Sequence, residues 1–81
     1  MSINMVKYNA ELIIKERAFY INERLHHLDV DKQKSWLDTT YWEMILLMRL
    51  FRETDQELCD KAEKVAIKAI DRRIALREIS Q

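Results

Sequence analysis

The chain has 81 residues, with no glycine, no proline and one cysteine, and its fourteen basic and fourteen acidic side chains cancel. Without glycine or proline it is a poor candidate for a phosphate-cradling loop, a Rossmann turn or a β-hairpin array, which rely on positive φ or fixed breaks. Neutrality argues against a whole-chain field toward nucleic acid or an anionic membrane, and 48% apolar content argues against disorder.

Three helices are predicted, at about 5–27, 31–52 and 55–79. In the first, Ile14, Ala18, Ile21, Leu25 and Leu28 step by four and three residues and form an apolar seam on one face. Ile13 and Tyr20 widen that seam, and Glu11, Lys15, Glu16, Glu23 and Arg24 supply the wet face. His26 and His27 are expected to end the helix, where an imidazolium complements the carbonyl end of the dipole. The break that follows is Leu28-Asp29-Val30-Asp31-Lys32, and either aspartate can cap the next helix. Ser35 is a second possible cap.

The second helix repeats the four-three spacing at Leu37, Tyr41, Met44, Met48 and Phe51. Trp36, Trp42, Ile45, Leu46, Leu47 and Leu50 lie on other faces, so this helix is apolar nearly all round. Such a helix is buried on several sides, as the central element or at a contact with another subunit. At the next break, Thr54 and Glu57 have the spacing of a capping box. The third helix carries Leu58, Ala62, Val65, Ala66, Ala69, Ile70, Ile74, Leu76 and Ile79, and its small alanines would let another helix approach closely. No internal repeat, low-complexity tract or linker divides the chain, so one domain is expected.

Nothing in these helices has the pattern of a reaction centre. Asp29 with Asp31, and Asp55 with Glu57, sit at helix starts, where acids complement the dipole. Acid/base work would need a pocket that perturbs one of them. His26 and His27 are adjacent and point about 100° apart, so a regular helix cannot aim both at one metal. A zinc site also wants three or four ligands, and Cys59 is the only thiol. The histidines read as exposed residues, or less readily as a pH-sensitive pair. Ser2, Ser35 and Ser80 have no nucleophile motif around them. Cys59 has no basic residue adjacent in sequence and reads as a helix-packing thiol in a reducing compartment. We therefore expect no enzyme activity, no metal and no cofactor. The N-terminus lacks a signal-peptide pattern, and the densest apolar run, Met44 to Phe51 with Arg49 inside it, falls short of the roughly 20 residues of a membrane span. A cytoplasmic protein without membrane insertion is expected.

Two surfaces are candidates for binding. Trp36, Tyr41 and Trp42 lie within seven residues, with Met44 and Met48 beyond. Trp, Tyr and Met are enriched at the centres of protein interfaces. Tyr41, Met44 and Met48 lie on the seam and suit a core. Trp36 and Trp42 stand about 240° apart in projection, so at least one of them is expected at a second chain. Ile45, on another face of the same helix, joins this set. Arg73 and Arg77 project toward the apolar side of the third helix, where they either snorkel or anchor a subunit contact. The competing surface is a basic stripe, Lys61, Lys64, Lys68 and Arg72, which fall within about 80° of one another. Phosphates bind such stripes, although Asp60, Glu63, Asp71 and Glu78 share the helix.

In its shortness and its Lys-, Glu- and Ile-rich composition the chain resembles the small cytoplasmic accessory proteins of T-even-type phages. That resemblance implies a host-directed or lysis-regulating role, such as that of a lysis-inhibition accessory protein. Trp36-Leu37 followed by Met44-Ile45-Leu46-Leu47-Met48-Arg49 is also similar to the helical-hairpin sponges that phages use against cyclic-nucleotide signalling. The chain departs from that hairpin in lacking glycine and proline and in carrying a long extra helix.

The expected fold is all-α: three helices in a mostly antiparallel bundle, or an extended helical hairpin, completed by oligomerisation. The expected function is a non-enzymatic protein-interaction module, a small oligomeric regulator or adaptor that binds itself and another protein. The alternative is a nucleic-acid or cyclic-nucleotide binding protein that uses the basic stripe.

Overall fold

The computed structural model describes residues 3–79, and among them it shows three helices and no strand. Helix α1 spans Ile3–Glu23, a single 3₁₀ turn follows at Leu25–His27, α2 spans Val30–Phe51 and α3 spans Gln56–Ile79. Ser2 and Ser80, and the side chains of Glu78 and Ile79, lie outside what is described.

The polar cross-links fix the topology. Lys7, near the start of α1, lies 3.7 Å from Asp55 at the start of α3. Lys68 donates to Asn22 near the end of α1 at 2.9 Å. Helices α1 and α3 therefore run parallel. Between α2 and α3, Arg73 meets Asp38 at 3.0 Å and the Cys59 thiol donates to the Met48 carbonyl at 3.6 Å, so these two run antiparallel. The result is an up-down-up bundle with extents of 45 × 20 × 16 Å.

The seams read from the sequence form the core. Ile14, Ile21 and Leu25 meet Leu37, Met44 and Phe51, and all are buried. Helix α3 contributes Ala62, Ala66 and Ala69 with Leu58 and Val65. Its alanines face inward, and α2 and α3 are the most intimate pair of the three. Small side chains at a contact allow two helix axes toward the short end of the usual 8–10 Å range.

Two helix ends differ from expectation. Helix α1 stops at Glu23 instead of running through His27. Arg24 leaves helical geometry with φ −121° and ψ −27°. The chain then tightens into the 3₁₀ turn, with His27 N–H donating to Arg24 and Leu28 N–H to Leu25. This turn brings Leu25 into the core and gives the Arg24 and Leu25 carbonyls backbone partners. His26 and His27 remain exposed beside each other, with ring centroids 4.1 Å apart.

The second correction concerns the start of α3. Thr54 and Glu57 do not form the capping box. The Thr54 and Asp55 amides both donate to the Phe51 carbonyl and close the turn, so the first free amides come after Asp55. The Asp55 carboxylate accepts from Leu58 N–H at 3.1 Å and is the cap. Glu57 instead faces Lys61 at 3.6 Å. At the other break Asp29 caps α2 by accepting from Lys32 N–H at 2.9 Å, and Ser35 lies inside that helix.

Candidate functional site

The two sides of helix α2 have opposite fates. Met44 is 0% exposed, whereas Trp42, two residues earlier, is 60% exposed. Residues two apart on a helix point about 160° apart, so burying one seam against α1 and α3 turns the other outward. Trp42 leans edge-on against Tyr41, with centroids 5.5 Å apart and planes at 75°.

Beside Trp42 the bundle leaves an open groove of about 330 Å³ between α2 and α3. Tyr41 and Trp42 line it from α2; Ile70, Arg73, Ile74 and Arg77 line it from α3. Leu37, Asp38 and Ala69 complete it. Arg73 is tied down: its Nε donates to Asp38 Oδ1 at 3.0 Å, which holds the guanidinium stem against the apolar wall. Arg77 is exposed. Four of the six residues singled out as a protein interface, Tyr41, Trp42, Arg73 and Arg77, thus meet in one place.

The other two go elsewhere. Trp36 is half-buried and stacks on Tyr20 with centroids 4.6 Å apart, inside the contact between α1 and α2. Ile45 lies toward the far end of α2, in a second recess with Met48, Arg49, Arg52, Cys59 and Glu63.

The basic stripe is exposed but partly engaged. Lys61 pairs with Glu57 along the helix, and Lys68 reaches Asn22 of α1. Arg72 borders a third recess with Asn22, His26 and Gln33, where α1 ends against α3. The four cations therefore do not form one uninterrupted track, because α1 claims part of their flank.

Some surface features escaped the sequence reading. Ile67, absent from the apolar set expected for α3, is exposed, as are Ile70 and Ile74 from that set, and Leu46 and Leu50 on α2. The outer side of α1 exposes Tyr8, Leu12 and Phe19, which share one stripe at helical spacing. Arg17 was also missed. It grips Glu43 across α1 and α2 with two bonds, Nε to Oε1 at 3.0 Å and Nη2 to Oε2 at 3.2 Å. That hydrogen bonding to Glu43 raises the Arg17 pKa against the opposing effect of burial. The signal for this pair, an Arg beside a half-buried seam, is present in the sequence but names no partner.

Among the described residues no group of three or more His, Cys, Asp or Glu is placed to hold a metal ion. Among them, too, no helix is long and apolar enough to cross a membrane. No protein-family model, curated protein or solved structure matches the chain.

Proposed function

We propose that this chain is a non-enzymatic protein-interaction module, a small oligomeric regulator or adaptor whose binding face is the open groove between α2 and α3. One observation carries the reading: Trp42, Ile70 and Ile74 stand exposed together around a groove flanked by Arg73 and Arg77. Trp and Arg are the residue types that dominate binding energy at interfaces. A contiguous apolar patch rimmed by polar groups marks a site of association. Asp29, Asp38 and Asp55 have capping or pairing roles, and the reading calls for no chemical step. The regulatory role suggested by the phage-like style of the sequence belongs to the same proposal.

The test is light scattering after size exclusion across a dilution series. The expected result is a dimer or larger. A monomer near 9.8 kDa at every concentration would refute the oligomeric part of the reading. The competing reading, phosphate binding by Lys61, Lys64, Lys68 and Arg72, is tested by titrating DNA, RNA and cyclic nucleotides over a range of salt. Flat curves are expected, since Lys61 and Lys68 already have partners within the chain. Saturable binding that weakens with salt would favour the competitor.

A further inference from the structure

The exposed side of α3 carries more order than a patch of isoleucines. Glu63, Ile67, Ile70, Ile74 and Arg77 follow one another at spacings of four, three, four and three residues. All five are exposed. This is the spacing of a coiled-coil seam, and it runs along the edge of the alanine face that packs on α2: Ile70, Ile74 and Arg77 border the groove with α2, and Glu63 borders the neighbouring recess. The seam has an acid at one end, a base at the other and three isoleucines between. Glu63 and Arg77 are each seven residues from Ile70. Neither makes an ion pair among the described residues.

We propose that the occupant of this face is a second copy of the chain, docked by its own α3 in antiparallel orientation about a two-fold axis at Ile70. The inference rests on the interaction reading above and adds the partner, the element and the register. A two-fold contact must be self-complementary. Running antiparallel about Ile70, the seam brings Arg77 of each copy opposite Glu63 of the other. Ile67 and Ile74 then flank the paired Ile70 residues. Running parallel, it would set Glu63 against Glu63 and Arg77 against Arg77, which like-charge repulsion disfavours. Arg49 and Arg52 line the α2 side of the recess at Glu63, so Arg77 of the other copy meets this carboxylate with two further cations nearby.

Apolar surface is available at the seam. Ile67, Ile70 and Ile74 are exposed by 51%, 40% and 48%, and Trp42 by 60%. Trp42 shares the groove with Ile70 and Ile74, where α2 of one copy can cover α3 of the other. These four side chains would form the apolar centre of an interface, with Glu63 and Arg77 in its polar rim.

Sedimentation equilibrium on the intact chain and its variants tests the register. The wild type is expected to be a dimer. Ile70→Glu places two carboxylates at the axis and should weaken association at least a hundredfold while the far-ultraviolet circular dichroism stays helical. Arg77→Glu should weaken it about tenfold, two pairs being reversed per dimer. Adding Glu63→Lys to Arg77→Glu should restore it. A wild type that dimerises while Ile70→Glu dimerises equally well overturns the α3 seam and leaves the interaction reading standing. A double variant no tighter than Arg77→Glu overturns the register. A monomeric wild type overturns both the seam and the oligomeric reading.

Discussion

Met44→Ala and Trp42→Ala remove large side chains two residues apart on one helix, and the structure assigns them opposite consequences. Met44 is wholly buried in the core. Truncating a buried methionine to alanine costs about 2–5 kcal/mol, the lost transfer energy plus the cavity left behind. A chain of 81 residues has a total stability of about 4–12 kcal/mol at 0.05–0.15 kcal/mol per residue. A loss of about 3 kcal/mol thus removes between a quarter and three quarters of it, and lowers the melting temperature by about 12–24 °C. Trp42 contacts Tyr41 edge-on and is otherwise largely open. Its truncation should cost the monomer about 1 kcal/mol for the aromatic pair and about 1–2 kcal/mol for the covered part of the ring, without the buried cavity that Met44→Ala leaves. Helix propensities favour alanine at both positions, so they cannot create this contrast.

Urea unfolding followed by circular dichroism, at two protein concentrations a hundredfold apart, separates the contributions. Association stabilises the folded state by mass action. The midpoint should therefore rise with concentration in the wild type and in a Met44→Ala variant that still folds, and rise less in Trp42→Ala. Equal losses for the two variants at the lower concentration would refute the assignment of faces. A Trp42→Ala midpoint that still rises like the wild type would refute its place in the interface.

Three further outcomes follow from the helix ends and cross-links. Asp55→Ala should destabilise by about 1 kcal/mol as the α3 cap is lost, and Thr54→Ala by less than about 0.5 kcal/mol; the reverse order in thermal melts would reinstate the capping box. A double-mutant cycle on Arg17→Ala and Glu43→Ala should yield a coupling of about 1 kcal/mol, near the top of the range for exposed pairs because the contact is bidentate and partly covered. Additive losses would show that the pair contributes nothing to holding α1 on α2. Cys59 is buried, so a thiol reagent should label it slowly in the native chain and rapidly in urea; immediate native labelling would contradict its burial.

The fold was largely legible because each helix has a four-three seam, and those seams became the core. The helix ends were less so. In this chain no glycine or proline marks a stop, and the end of α1 is decided by Leu25 turning into the core, a tertiary event. Thr54 and Asp55 are both good caps, and the turn closed by the Phe51 carbonyl decides between them. The outward face of α3 was the hardest to read. Ala62, Ala66 and Ala69 repeat at helical spacing, and so do Ile67, Ile70 and Ile74. Hydrophobicity alone would bury the isoleucines. Close approach of α2 selects the alanines, and the larger side chains are left outside. In the same way Trp36 and Trp42 look alike in the sequence, and only Tyr20, one helix away, distinguishes them.

The elongated shape, 45 × 20 × 16 Å, gives the proposed pairing a hydrodynamic signature. Ile70 lies a little beyond the middle of α3, so a two-fold axis there offsets the copies by only about 7–8 Å along their length, at 1.5 Å of rise per residue. Two rods joined side by side with so small an offset make a broader and relatively less elongated particle than either alone. The frictional ratio should therefore fall on dimerisation, whereas rods joined end to end would raise it. Sedimentation velocity can thus distinguish lateral from terminal association without any substitution in the chain.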